Sequence, residues 1–425
     1  DGNVIRSTDG GGNTTEYEYD SAARLISVRN ALNETTAYTY DHNGNMLTQK
    51  DGEGNITTYK YTVRTLPYQR IDDGGEGVAS KTESYTYYAN NLLKTKTDRN
   101  GTVISYTYDV FGRLQKEIAG SLQTSYTYDN NGNPLTINDS IGTTIRTYDA
   151  MNRVTSKTVP NMGTVTYEYD IIEGVGTGET AERTADPKGN VTTKIYDCAG
   201  RLKAVIDGDI TSTDITTYEY YDNGSRQSVT YPTGIKEEYT YYPDNTLWTL
   251  TNKDADGTIL DVYTYTYDHA NNQTSKHEVI NGIDKGTTSY IYDRLNQLLT
   301  VTEPSGRETG YTYDMSGNRT MELISSGSET ISNIYSYNEQ NRLVYITTQV
   351  DSELTEKTEY CYDHNGNQLE TIVTEYIDGV AQTPVTAAVN TYDSKNQLIE
   401  TVTADGTTLT NAYNGEGLRV SKTVN

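Results

Sequence analysis

Cysteine, phenylalanine and tryptophan are almost missing from this chain: 425 residues hold 2 Cys, 1 Phe and 1 Trp. Two cysteines exclude a disulfide framework. Cys198 stands in a predicted turn and Cys361 between Tyr360 and Tyr362, far along the chain, so no bond between them is expected. Such scarcity suits either a reducing cytosol or the cysteine-poor habit of many exported bacterial proteins. Aliphatic residues are sparse too. Setting Tyr, Ala, Met, Cys and Trp aside from a hydrophobic class of 34% leaves roughly 18% Leu, Ile, Val and Phe, a share at which strongly charged chains are usually disordered. Cations are outnumbered, 34 Lys and Arg against 59 Asp and Glu, for a net charge of -25. That balance argues against nucleic acid and anionic membranes as partners and favours solubility. No run of about 18 apolar residues occurs, so no membrane-spanning segment is expected.

Tyrosine is what the chain has instead, 40 residues of it. The stretch Tyr38-Thr39-Tyr40-Asp41-His42-Asn43-Gly44-Asn45-Met46-Leu47 returns along the whole sequence. With its second tyrosine as anchor, copies fall at Tyr19, Tyr40, Tyr61, Tyr87, Tyr108, Tyr128, Tyr148, Tyr169, Tyr196, Tyr220, Tyr241, Tyr267, Tyr292, Tyr313, Tyr337, Tyr362, Tyr392 and Tyr413. These 18 copies are spaced 20 to 30 residues apart, most often 21, and 14 carry a second tyrosine two places before the anchor. A fixed period of this kind means a repeat architecture. It also overrides the disorder prior, because a disordered segment has no reason to keep a residue in register.

Tyr-x-Tyr puts two rings on one face of a strand, with Thr, Glu or Ser between them on the other. The residue after the anchor is Asp in 12 copies and Asn in Asn338 and Asn414. Three places further on stands Gly in eight copies (Gly44, Gly112, Gly132, Gly200, Gly224, Gly317, Gly366, Gly417) and Asn in seven (Asn91, Asn152, Asn245, Asn271, Asn296, Asn341, Asn396). Gly and Asn share tolerance of a left-handed backbone. Asp or Asn opening a turn, with a left-handed residue three later, predicts a type I turn with a glycine bulge. Ala23, Thr65 and Glu173 depart from this rule.

A second short strand follows each turn, as in Asn133-Pro134-Leu135-Thr136-Ile137, and ends at another turn signal such as Asp9-Gly10-Gly11-Gly12-Asn13, Asp51-Gly52-Glu53-Gly54-Asn55 or Asp186-Pro187-Lys188-Gly189-Asn190. Each period is therefore a β-hairpin, and the chain an all-β antiparallel meander. A Gly-rich insert at Asp72 to Gly77 and longer connections at Ile171 to Ala185, Asp254 to Asp261, Ile280 to Thr288 and Glu375 to Ala388 fall between copies, at the end opposite the Asp-x-x-Gly turns. No linker or domain boundary is visible, so residues 1–425 are expected to be a single array, cut in mid-repeat at both ends. For such a segment, missing targeting signals carry little weight. Phe111 and Trp248 are each expected to pack against their neighbours. Two strands per copy at about 4.8 Å give roughly 170 Å of sheet only about 20 Å across. Open sheets rarely pass about 10 strands without curling, so a ribbon of roughly 36 must coil or close. A wide hollow shell or open spiral is the expected result.

With the Tyr-x-Tyr-Asp-x-x-Gly-Asn/Arg-x-Leu unit repeated along nearly the whole chain, the sequence resembles the RHS or YD-repeat family, which includes bacterial polymorphic toxins, wall-associated proteins, toxin-complex cocoon components and animal teneurins. The resemblance implies a coiled β-ribbon shell, secreted or at the bacterial cell surface, around a C-terminal toxin or other linked partner. It also implies a core segment rich in Asp-Pro-x-Gly, self-cleaving in some members. Here Asp186-Pro187-Lys188-Gly189 sits where other copies have Asp9-Gly10-Gly11-Gly12, so it is read as part of a repeat turn, and the self-cleaving core and toxin are absent from these residues.

The sequence nominates no catalytic, cofactor-binding or metal-ligating residue, and no enzyme activity is expected. Asp41-His42-Asn43-Gly44-Asn45, Asp129-Asn130-Asn131-Gly132-Asn133 and Asp363-His364-Asn365-Gly366-Asn367 faintly suggest calcium loops. An EF-hand loop needs Gly at about its sixth place and Glu at about its twelfth, whereas Gly is here fourth and the twelfth residues are Gly52, Ser140 and Thr374. His42, His269 and His364 share one repeat position and so lie copies apart; with His277 they make no metal or triad constellation. Two functions remain open. One is a structural shell that encloses or presents a linked cargo; the other is a module binding a glycan or cell-surface receptor through its tyrosine rows. Rings packed over second-strand Leu, Ile and Val are the plainer reading of those rows.

Overall fold

The computed structural model describes residues 2–74 and 79–425; Gly75, Glu76 and Gly77 of the glycine-rich insert lie outside the described residues. The fold is all-β. Among the described residues, 38 strands, from Arg6–Thr8 to Arg419–Val424, form one sheet, and there is no helix. Chain neighbours pair antiparallel: Thr35–Tyr40 pairs with Met46–Lys50, which pairs in turn with Ile56–Tyr61. Two compact units share this construction, one of Asp1–Ser125 with Tyr290–Asn425, the other Tyr126–Ser289.

One turn design follows nearly every anchor and recurs at many of the connections between copies. After Tyr40, the Gly44 amide donates to the Asp41 carbonyl at 3.2 Å and the Asp41 amide to the Asn45 carbonyl at 2.9 Å. The pairing register slips by one residue at the anchor, so that Tyr40 stands opposite Met46, as a type I turn with a bulge requires. All eight glycines and all seven asparagines named for this position have positive φ, from 57° at Asn341 to 98° at Gly366. Ala23 and Thr65 adopt the same conformation, at 61° and 60°. The geometry therefore holds even where the residue type opposes it. Only the Tyr169 copy departs: its strand Gly163–Ile171 runs on past the anchor, and Gly174 rather than Glu173 turns left-handed.

Many inter-copy turns repeat the same bonds, whereas others, as between Ser326 and Glu329 or Val350 and Glu353, are two-residue turns. Gly12 donates to the Asp9 carbonyl at 3.1 Å, Gly54 to Asp51 at 3.1 Å and Gly189 to Asp186 at 3.0 Å. The Asp-Pro-Lys-Gly stretch is thus an ordinary repeat turn. The longer connections become longer strands: Gln273–Ile280 and Ile283–Tyr292 meet at Asn281 and Gly282, both left-handed. Glu375 to Ala388 adds a small hairpin, with Tyr376 opposite Ala381.

The core is thin, as a single-layer ribbon poor in aliphatics must be. Ala119, Ile137, Ala181, Ala204, Ile206 and Val229 are the buried apolar residues among those described. The face opposite the tyrosines carries paired hydroxyls, Thr39 with Thr48, Thr86 with Thr95 and Thr127 with Thr136, each at 2.6 Å across the hairpin. Cross-strand Thr pairs of this kind stabilise a sheet modestly, by roughly 0.2–1 kcal/mol each.

Candidate functional site

Three features could carry function: the turn carboxylates, the tyrosine rows, and a seam between distant turns. In the turn after Tyr40, Asp41 Oδ1 accepts the amides of Asn43 and Asn45 at 2.9 and 2.8 Å, while Oδ2 accepts Asn45 Nδ2 at 2.8 Å. Where the repeat has Arg in place of Asn, the guanidinium takes the second oxygen, as in Arg24 on Asp20 at 2.7 Å and Arg113 on Asp109 at 2.7 Å. These bonds favour the charged form: the Asn45 side chain first, and the turn amides with it, hold Asp41 below the usual carboxylate range. The carboxylates that faintly suggest calcium loops are therefore taken up by bonds within their own turns, to which Asp363 adds one from Asn100. Among the described residues, no group of three or more His, Cys, Asp or Glu side chains is placed to hold a metal ion. Cys198 and Cys361 are free thiols.

The tyrosine rows are bound to the ribbon through their hydroxyls. The Tyr40 hydroxyl donates to the Leu25 carbonyl at 2.8 Å, Tyr148 to Pro134 at 2.8 Å, Tyr220 to Leu202 at 2.7 Å, Tyr313 to Leu298 at 2.8 Å and Tyr362 to Leu343 at 2.8 Å. Each acceptor is the residue opposite the preceding anchor, so one copy ties to the next at a fixed place. Three copies have Tyr where Asp usually follows the anchor. There Tyr88, Tyr221 and Tyr242 reach forward to the carbonyls of Tyr106, Tyr239 and Tyr265 at 3.0, 2.9 and 3.0 Å. Each also meets the next anchor edge to face, with ring centres 6.2 to 6.4 Å apart. Burial pushes the hydroxyls of Tyr106 and Tyr239 up to about 12. Rings held this way are structural, and the glycan reading gains no support from them. Phe111 corrects an expectation. It lies at a turn tip, 78% exposed, and touches only the Arg113 guanidinium among described ring contacts, 5.0 Å from its centre. The turn geometry fixes this, because the two central residues of a tip point away from the sheet. Trp248 does lean on Tyr242, with 5.9 Å between centres.

The seam lies within the first unit. Turns that follow anchors in residues 290–425 meet inter-copy turns of residues 1–125. The Met315 amide donates to Glu53 Oε1 at 2.7 Å, and the His364 amide to Asn100 Oδ1 at 3.0 Å. Asn100 Nδ2 reaches Asp363 Oδ2 at 2.8 Å, Asn365 Nδ2 reaches Asp98 Oδ2 at 2.7 Å, and the Arg99 amide reaches Asn365 Oδ1 at 2.9 Å. Lys395 pairs with Glu117 at 2.7 Å, both side chains about four-fifths buried. A Cβ on Gly52 would come within 2.0 Å of the Met315 carbonyl oxygen, so glycine is what lets these backbones approach. Beside the seam Asp72, 5% exposed, pairs with both Arg70 and Arg99. Arg342 reaches the carbonyls of Asp363 and Asn365 at 3.4 and 3.2 Å. Burial first, then Arg99, lowers its affinity for a proton. Burial tends to raise the Asp363 carboxyl, but hydrogen bonds from Asn100 and Asn367 hold it below its usual range. Arg70, Asp72, Arg99 and Arg342 line a cavity of about 380 Å³ there. Seam residues more than 250 apart in the chain have no local signature, and sequence reasoning missed them all.

The family model described as RHS Repeat matches residues 1–35, 24–56, 87–121, 128–162 and 292–330. A search among curated proteins returned no sequence match. In fold, the chain is similar to the crystal structure of TcdB2-TccC3 without its hypervariable C-terminal region, with a TM-score of 0.51 and 12% identity over 97% of this chain. The crystal structure of TcdB2-TccC3 itself gives 0.51 and 13% over 98% of this chain. The chain spans 31% and 30% of the lengths of those two chains.

Proposed function

We infer that this chain, whose repeats are RHS repeats, is a wall segment of an extracellular scaffold that encloses or presents a protein partner joined on its C-terminal side. The seam is the observation that carries the reading. A ribbon of hairpins leaves two rows of turns open to water. A wall that separates an inside from an outside needs neighbouring courses of ribbon to seal, and Met315 on Glu53 or His364 on Asn100 is a seal of that kind. The likeness of fold to TcdB2-TccC3, a protein with a hypervariable C-terminal region, supports a partner that varies while the wall persists. A location outside the cell fits the scarcity of cysteine and the net charge of -25. The reading gives the chain itself no chemistry, since its turn carboxylates and tyrosine hydroxyls are taken up in holding the ribbon.

Small-angle X-ray scattering of the purified chain tests this reading. A wall segment gives a distance distribution shifted to long vectors, as a hollow or curved sheet of this mass must. The distribution of a compact solid globule would overturn it.

A further inference from the structure

At one place the seam pairs two like turns. Asp98-Arg99-Asn100-Gly101 lies between copies, Asp363-His364-Asn365-Gly366 follows an anchor, and both spell Asp-x-Asn-Gly. They meet through reciprocal bonds. Asn100 Nδ2 donates to Asp363 Oδ2 at 2.8 Å and Asn365 Nδ2 to Asp98 Oδ2 at 2.7 Å. The His364 amide donates to Asn100 Oδ1 at 3.0 Å and the Arg99 amide to Asn365 Oδ1 at 2.9 Å. Each turn thus offers one neutral side-chain amide to the carboxylate of the other, and the pairing depends on those two donors.

Both donors are asparagines followed by glycine. Asparagine is among the thermolabile residues, and a glycine after it, with no Cβ, leaves the next peptide nitrogen free to approach its side chain. That nitrogen, its proton passed to hydroxide, attacks the asparagine Cγ; ammonia leaves and a five-membered imide closes. Water then opens the ring to aspartate or isoaspartate. One water enters, one ammonia departs, and a neutral amide becomes a carboxylate. The closed seam holds this reaction back: the Gly101 amide is bonded to the Asp98 carbonyl at 3.0 Å, the Gly366 amide to Asp363 Oδ1 at 2.8 Å, and both asparagine side chains are fixed across the seam.

We propose that the paired turns are a one-way latch: when the two courses part, deamidation of Asn100 or Asn365 sets carboxylate against carboxylate and keeps the seam from closing again. An aspartate at 100 faces Asp363, and one at 365 faces Asp98, across the 2.7 to 2.8 Å now spanned by a hydrogen bond. Like charges so close disfavour each other's charged form. The nearby cations are engaged elsewhere, Arg99 on Asp72 and Arg342 on the carbonyls of Asp363 and Asn365. A wall that stays shut keeps its two amides, and one that has opened is marked and does not reseal. The latch rests on the wall reading through its seam alone; whether the wall encloses anything is immaterial to it.

Hydrogen–deuterium exchange at the Arg99 and His364 amides reads the seam locally, and peptide mass spectrometry reads deamidation. In the unchanged chain both amides exchange slowly. Asn365→Asp, a chemical copy of the deamidated residue, speeds both by about tenfold or more, the worth of one hydrogen bond to a charged group, while sheet amides elsewhere keep their protection. Asn365→Asp with Asp98→Asn restores slow exchange, since donor and acceptor have only changed sides. Asn in the place of Asp98 still closes a turn, as Asn338 does by accepting the Gln340 and Arg342 amides at 3.0 and 3.1 Å. On ageing at mildly alkaline pH, the folded chain converts Asn100 and Asn365 more slowly than the chain in urea, and the converted molecules are those whose seam amides exchange fast. Fast exchange in the unchanged chain would remove the seam and the wall with it. Protected seam amides in Asn365→Asp, or a double variant no slower than the single one, overturn the latch alone. So does a folded chain in which neither asparagine converts while both convert in urea.

Discussion

The Tyr40 hydroxyl donates to the Leu25 carbonyl at 2.8 Å, one anchor to the residue opposite the anchor before it. This bond explains why the repeat uses tyrosine and not phenylalanine, of which the chain has one. A phenyl ring would cover the same surface but leave the carbonyl without its donor. Tyr40→Phe is expected to cost about 1 kcal/mol, the usual net worth of such a bond. Tyr40→Ala should cost several times that, since it also removes the ring's packing. Denaturant unfolding of both variants separates the hydroxyl from the ring.

Thr65 adopts φ 60° in the turn after Tyr61, a conformation costly for a β-branched residue. Its neighbour Thr62 stands in for the missing Asp, its hydroxyl accepting the Arg64 and Leu66 amides at 3.3 and 3.2 Å. Thr65→Asn or Thr65→Gly should stabilise the chain by up to about 1 kcal/mol, with Gly gaining less because it also loosens the unfolded state. Gly132→Ala, at φ 94°, should destabilise by a similar amount. The shift in denaturation midpoint for the three variants gives the sign directly.

These turns also mark what the sequence revealed and what it hid. The left-handed residue was legible where Gly or Asn advertises it; Ala23 and Thr65, which depart from that rule by residue type, adopt the same conformation, and nothing in their identity signals it. Glu173 broke the rule for a reason that lay outside the motif: the strand Gly163–Ile171 continues past Tyr169. That the turns would be hairpin bulges, and the chain an all-β meander, followed from local spacing. The acceptors of anchor hydroxyls such as Tyr40 and Tyr362 did not, because they belong to the preceding copy and no residue type marks a backbone carbonyl. The seam was further out of reach, since its partners, such as Asn100 and Asp363, are brought together by the cumulative path of many hairpins and not by any pattern within one.

Acid should undo the turns. Asp41, Asp129 and Asp186 are each held below the ordinary aspartate range, first by the side chains of Asn45, Asn133 and Asn190. A depressed folded value means stability that is complete above the unfolded value and is lost as pH falls through the folded one. Stability should therefore be flat near neutrality and decline below about pH 4. Urea midpoints measured against pH check this, and Asp129→Asn should shrink the acid-dependent part.

Alkali tests the tyrosine rows. Tyr106 and Tyr239 are pushed up to about 12 by burial, and Tyr313 and Tyr362 are raised for the same reason. A raised folded value means stability present below the unfolded value of about 10 and lost as pH climbs through the folded one. Near-ultraviolet titration should show part of the tyrosines ionising at about 10 and part later, the late group appearing together with loss of sheet structure.

The seam is the claim on which the wall depends, and a cysteine pair across it tests it most directly. In a chain with Cys198→Ser and Cys361→Ser, Asn100→Cys and His364→Cys replace the partners of a bond of 3.0 Å. If the seam forms in solution, mild oxidation links the pair within single molecules, and the product runs faster on a non-reducing gel. The control pair Val63→Cys with His364→Cys, on an edge the seam does not use, stays unlinked. An Asn100–His364 pair that remains reduced, or that links no better than the control, would contradict the seam and the wall built on it.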